Sequence, residues 1–133
     1  MLKPMALLTR NSNQSVAAGG NVEFNNVSYI TSAIGYQDGE ILIKAPGIYK
    51  VAAVFVTTAV AADDQAITMM ANGSAVPGAR ASESAATIGD DVTLSIVSAV
   101  KVNPAVSGVA AITFESLGAT TIASASVVVE KVA

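Results

Sequence analysis

From residue 21 onward the chain repeats one pattern: an alternating or β-branched segment, then a turn signal built from Gly, Pro, Asn or Asp, at a spacing of roughly 8 to 12 residues. Helical periodicity is weak throughout, so the chain reads as all-β, of sandwich or barrel type. Glu40 to Ala45 alternates cleanly, with Glu40, Leu42 and Lys44 on one parity and Ile41, Ile43 and Ala45 on the other. Pro46-Gly47 turns the chain into Ile48 to Ala59, which becomes apolar on both parities from Val51 to Val56. Val92 to Val102 is half-apolar, with Val92, Leu94, Ile96, Val100 and Val102 against Thr93, Ser95 and Lys101. Further strands are expected over 21–29, 66–71, a short polar one near 79–84, 108–115 and 122–132. Asn72-Gly73 predicts a tight hairpin, because both residues tolerate positive φ. Pro77-Gly78, Gly89-Asp90-Asp91, Asn103-Pro104 and Leu117-Gly118 predict loops.

Two strands apolar on consecutive positions, 48–59 and 122–132, are informative, because an antiparallel sheet normally buries one face only. A second cover is required, and 133 residues leave little material for a third layer. A neighbouring subunit is the expected cover. Composition agrees: charged residues are 13% of the chain, about half the usual quarter, and 52% of residues are hydrophobic. The chain carries no heptad, collagen-like segment or internal repeat, so any oligomer must form through the sandwich itself.

The same composition removes several functions. With no His and no Cys, there is no imidazole base, no thiolate nucleophile and no usual ligand for zinc, haem or iron-sulfur clusters. No catalytic residue and no cofactor is assigned. A net charge of −3 repels a phosphate backbone, so nucleic acid is not an expected partner. The longest apolar region, 51–62, is too short for a helical membrane span, so no membrane association is expected. Lys3 precedes a short apolar run broken by Pro4, without a secretory cleavage pattern, so no secretory signal is expected.

The segment GEILIKAPGIYKVAAVFVTTA (Gly39 to Ala59) resembles the signature of the complement globular-head and tumour necrosis factor-like jelly rolls, in which a Pro-Gly-aliphatic-aromatic turn opens the central strand. Here those residues are Pro46, Gly47, Ile48 and Tyr49. The stretch SLGATTIASASVVVEKVA (Ser116 to Ala133) resembles the C-terminal domain of bacterial collagen-like spore-surface glycoproteins, and NQSVAAGGNVEF (Asn13 to Phe24) resembles small structural proteins of phages and prophages. The resemblance implies a ten-strand, two-sheet antiparallel jelly-roll sandwich that forms a homotrimer through its inner sheet. Val51, Ala52, Val54, Phe55, Val56, Val127, Val128 and Val129 are the residues expected at that interface or in that sheet. The expected function is a structural component of a virion, decorating a head or forming a fibre or appendage. The alternatives are a trimeric adhesin for host-surface glycans or proteins, and a protein of the bacterial or spore surface.

Other features have competing readings. Asp63, Asp64, Asp90 and Asp91 are candidate calcium ligands, since calcium takes carboxylate oxygens, but neither pair has the spaced pattern of a calcium loop and Asp is also favoured in turns. Adjacent loop aspartates do not make the separated acid and base of a glycosidase. One of Met69 and Met70 is expected in the core and the other outside. Tyr29, Tyr36 and Tyr49 are expected as buried structural rings, Tyr49 at the start of the central strand. Three Asn-X-Ser/Thr matches, at Asn13, Asn26 and Asn72, carry no weight without a secretory route. The domain is expected over 21–133, with 1–20 as an N-terminal arm and Gly19-Gly20 as its hinge. The arm, with Leu7, Leu8, Lys3 and Arg10, would either attach the trimer to a capsid or other virion protein, or fray, or add an edge strand.

Overall fold

The computed structural model of the chain describes residues 3–103 and 110–133. They form eleven strands and no helix: β1 (Met5–Arg10), β2 (Gln14–Val16), β3 (Asn26–Ile30), β4 (Ile34–Gln37), β5 (Glu40–Ile43), β6 (Gly47–Ala59), β7 (Asp64–Ala71), β8 (Ser74–Ser84), β9 (Asp91–Val102), β10 (Ala110–Ser116) and β11 (Thr120–Lys131). Sheet I runs β3-β1-β11-β6-β9, with β2 also paired to β11, and sheet II runs β4-β5-β10-β7-β8. Every pairing is antiparallel. From β5 onward each connection except the β7–β8 hairpin crosses between the sheets.

The core lies between the sheets because the period of a strand sends alternate side chains to it. On β6 these are Tyr49, Val51, Ala53, Phe55 and Thr57, and on β5 they are Ile41 and Ile43, all buried. The three phenylalanines tie the layers together: Phe55 of sheet I and Phe114 of sheet II have ring centroids 5.1 Å apart, and Phe24 lies 6.5 and 6.2 Å from them. The buried Tyr49 ring donates its hydroxyl to the Ala45 carbonyl at 2.9 Å. Met69 is fully buried while Met70 is half-buried.

Gly47 explains the Pro-Gly-aliphatic-aromatic turn. Its φ is +145°, and a Cβ there would stand 2.6 Å from Lys131 Cε and 2.8 Å from the Ala133 carbonyl oxygen. The glycine lets the C-terminal strand close over the start of β6, where Ile48 N–H donates to Ala133 O at 2.9 Å. Asn72 and Gly73 have φ of +52° and +81° and make the expected hairpin.

Several expectations are corrected. Residues 5–16 do not form an arm outside the sandwich: β1 lies between β3 and β11, and β2 extends the pairing of β11. Leu8 and Ala6 are buried there, which is what fixes this segment in the sheet. Gly19-Gly20 is a hydrogen-bonded turn, with Gly19 N–H donating to Ser116 O at 2.9 Å, so it is not a hinge. Residues 22–25 cross between the layers, and the strand expected from 21 begins at Asn26. Pro77-Gly78 makes no loop. It is a bulge in β8, where the register slips between Thr68 and Met70, and β8 is a sheet edge, where a proline lacking N–H is tolerated. Strand β4 was not expected, and the jelly roll has eleven strands where ten were expected. Gly108 and Pro104, expected at the start of one strand and the end of another, lie outside the described residues.

Candidate functional site

The face of sheet I turned away from the core is the most distinctive surface of the molecule. The registers place Tyr29 opposite Leu7, Leu7 opposite Val128, Val128 opposite Ala52 and Ala52 opposite Val97. This is one apolar row across five strands, and Val97 at its end is 67% exposed. The next row is Thr9, Ser126, Val54 and Ser95, then Ser124, Val56 and Thr93. Charge appears toward the two ends, at Lys50 and Glu130 on one side and at Asp91 on the other. The face is therefore apolar in its middle, and Val54 and Val56 continue that character among small hydroxyl side chains.

The eight expected interface residues all lie on β6 and β11, which are neighbours in sheet I. They divide by direction: Val51, Phe55, Val127 and Val129 are buried in the core, whereas Ala52, Val54, Val56 and Val128 line the outer face. The two-sided apolar character of β11 has a further cause, a bulge between Ile122 and Ser124 that switches which parity points inward. Thus Ile122 and Ala125 both reach the core. The sequence reading did not single out Leu7 and Val97 as interface residues, and Tyr29 was expected to be buried but is 44% exposed. The signal for Val97 was an apolar residue on the otherwise polar parity of its strand. Tyr36 is part-buried, and its hydroxyl accepts the Phe24 N–H at 2.7 Å. Burial raises the pKa of both Tyr36 and Tyr49 above the ordinary phenol value.

The four candidate calcium ligands come to the same end of the sandwich, but each already accepts a hydrogen bond, Asp63 and Asp90 within turns and Asp64 and Asp91 from the residue opposite on a neighbouring strand. Thr58 Oγ1 donates to Asp91 Oδ1 at 2.6 Å, Ser84 Oγ to Asp64 Oδ1 at 2.8 Å, Thr87 N–H to Asp90 Oδ2 at 3.0 Å and Asp64 N–H to Asp63 Oδ1 at 2.8 Å. Among the described residues no group of three or more acidic, His or Cys side chains is gathered as a metal-binding set. Beneath these turns, Thr120 Oγ1 lies 2.6 Å from Gln65 Oε1, both residues being buried. An open groove of about 420 Å³ lies over sheet II, with Glu40, Glu115, Thr113 and Asn72 in its wall. A shallower one of about 230 Å³ lies beside Arg10, Glu23 and Tyr36.

No protein-family model matches the sequence, and no curated protein matches it. Solved structures do match. The globular domain of the zebrafish complement 1qA protein superposes with a TM-score of 0.73 at 12% identity, covering 99% of this chain and 98% of that one. Murine APRIL at pH 5.0 gives 0.74 at 11% identity, covering 98% and 100%. The PRD1 vertex protein P5 gives 0.63 at 14% identity, covering 100% and 99%. At such identities the likeness is one of fold, and it extends over the whole chain, β1 and β2 included. The chain is a two-sheet antiparallel jelly roll of the tumour necrosis factor and complement globular-head type.

Proposed function

We propose that this protein is a non-catalytic structural module that assembles as a homotrimer through the outer face of sheet I and serves in a phage or prophage virion. The single observation that carries the assembly is the row Tyr29, Leu7, Val128, Ala52 and Val97 on a face with little charge, exposed at Tyr29 and Val97 and half-buried between them. Soluble monomers rarely leave so continuous an apolar surface in water. Burial of such a face returns roughly 25 cal/mol per Å² of apolar area, and obligate interfaces exceed about 2,000 Å². The virion setting is supported by the full-length likeness to the PRD1 vertex protein P5. Attachment to a capsid or other virion protein would not proceed by strand addition to β1, whose two edges are both paired within the sheet.

Two experiments test the reading. Light scattering on the purified protein gives a mass three times 13.3 kDa if the trimer forms. Immunogold labelling of particles induced from the host that carries the gene places the protein on the virion, and label confined to the cell or spore surface rejects the virion setting.

A further inference from the structure

The lysines and five of the carboxylates of this chain are sorted to opposite ends along the strand direction, and the two arginines lie between them. Strand β6 has 13 residues, so the sandwich is about 40 Å from end to end at about 3.3 Å per residue. All five lysines, Lys3, Lys44, Lys50, Lys101 and Lys131, lie toward the end where the first and last strands meet the start of β6. Lys131 N–H donates to Pro4 O beside Lys3, Lys101 is opposite Ile48, and Lys50 is opposite Glu130, the one carboxylate side chain among them. The opposite end carries Asp63, Asp64, Glu83, Asp90 and Asp91, all exposed, and among the described residues no cation. Among the described residues, none of these ten forms an ion pair.

Each end also exposes apolar side chains. At the acidic end Val60, Ile88 and Leu117 stand out on three neighbouring loops, Ile88 being 68% exposed. Backbone bonds from Gly89 N–H to Ala59 O and from Ala59 N–H to Asp90 O hold the first two loops together. At the lysine end Met5, Ile48 and Val132 are exposed. Both ends thus combine apolar side chains with charges of a single dominant sign, and the two signs are opposite. Apolar contact with complementary charge is the composition of a specific interface.

We infer that the lysine end of one copy docks on the acidic end of a second copy, so that the protein stacks head to tail. Such a contact joins two different surfaces and does not close, so it grows into a filament along the strand direction. The net charge of −3 does not oppose it. At about 0.1 M salt the Debye length is about 10 Å, so each end acts alone and the pairs in contact dominate. The stacking uses neither Val97 nor Val128 and does not require the trimer.

Sedimentation velocity at about 0.1 M and about 1 M salt tests it, because screening at about 1 M falls to about 3 Å. The expected result is a concentration-dependent series of larger species at the lower salt that collapses to the basic unit at the higher. Lys44→Glu with Lys101→Glu cancels the positive charge of the lysine end, and Glu83→Lys with Asp91→Lys weakens the acidic end; each double variant alone stacks less than the wild type. An equimolar mixture of the two restores a pairwise species, joined by the intact lysine end of one variant and the intact acidic end of the other, which also shows that both variants are folded. The absence of larger species from the wild type at about 0.1 M salt overturns the inference, as does their persistence in the Lys44→Glu/Lys101→Glu variant alone.

Discussion

Val128 lies directly opposite Ala52 across the β11–β6 ladder, on the side of sheet I that faces away from the core. Ala52 is in turn opposite Val97 on the edge strand β9, so these three residues form the β9 end of the apolar row proposed as the contact. Val97→Asp therefore separates folding from assembly. Its side chain is already largely in water, so the variant keeps the stability of the single chain to within about 1 kcal/mol. Association fails, because an unpaired carboxylate in a packed interface costs several kcal/mol. Val128→Asp and Val54→Asp give the same loss of mass. Circular dichroism and light scattering on the same samples check both halves, and a Val97→Asp protein of unchanged mass removes the row from the interface.

Thr57 gives a prediction of the opposite sign. It is fully buried on the core side of β6, and its Oγ1 has no hydrogen-bond partner. A buried hydroxyl left unpaired costs about 1 to 3 kcal/mol, whereas an apolar group of the same shape does not. Thr57→Val raises the urea midpoint, by an amount equivalent to about 1 kcal/mol, with the slope unchanged. A lower midpoint for the variant would show that the hydroxyl is satisfied.

Gly47→Ala tests the turn that opens the central strand. The added methyl group meets the Ala133 carbonyl at 2.8 Å and adopts a φ that side-chain-bearing residues avoid. Strain of this kind costs about 1 to 3 kcal/mol. The expected outcome is a lower thermal midpoint together with fraying of β11 near Lys131, read as faster amide exchange at Val132 and Ile48. Gly73→Ala, where a Cβ meets nothing within 4 Å, pays only the cost of its positive φ and falls by less.

Alkaline pH weakens the fold through Tyr36 and Tyr49. Burial raises both pKa values in the folded chain, so the unfolded chain loses its phenolic protons first. Their contribution is complete below the ordinary phenol value near 10 and is lost as pH rises through the folded values. Stability measured between about pH 8 and 11 falls above about 10. In Tyr49→Phe the fall is shallower, although the variant starts lower by about 1 kcal/mol through loss of the bond to Ala45.

Much of the sandwich is legible in the sequence where the period is clean. Ile41 and Ile43, Leu94 and Ile96, and the Asn72-Gly73 turn all stand where alternation and turn chemistry place them. The failures have physical causes. The Asp38-Gly39 hairpin, with φ of +51° and +84°, went unread because β4 is four residues long and contains a glycine, too short to show a period. Met5–Arg10 reads as a tail because its sheet partners, β11 and β3, are distant in the chain or irregularly paired. The Ile122/Ser124 bulge scrambles the parity of β11, so core and outer-face valines were taken together. The outer row itself joins residues 7, 29, 52, 97 and 128, which only the registers bring side by side.

The most direct measurement is the solution mass by light scattering, near physiological salt and again at about 1 M, where charge contacts are screened to about 3 Å. The account predicts three times 13.3 kDa at the higher salt, since an apolar interface persists when charges are screened. A mass of 13.3 kDa at both salts would contradict it, leaving the outer face of sheet I as the surface of a monomer.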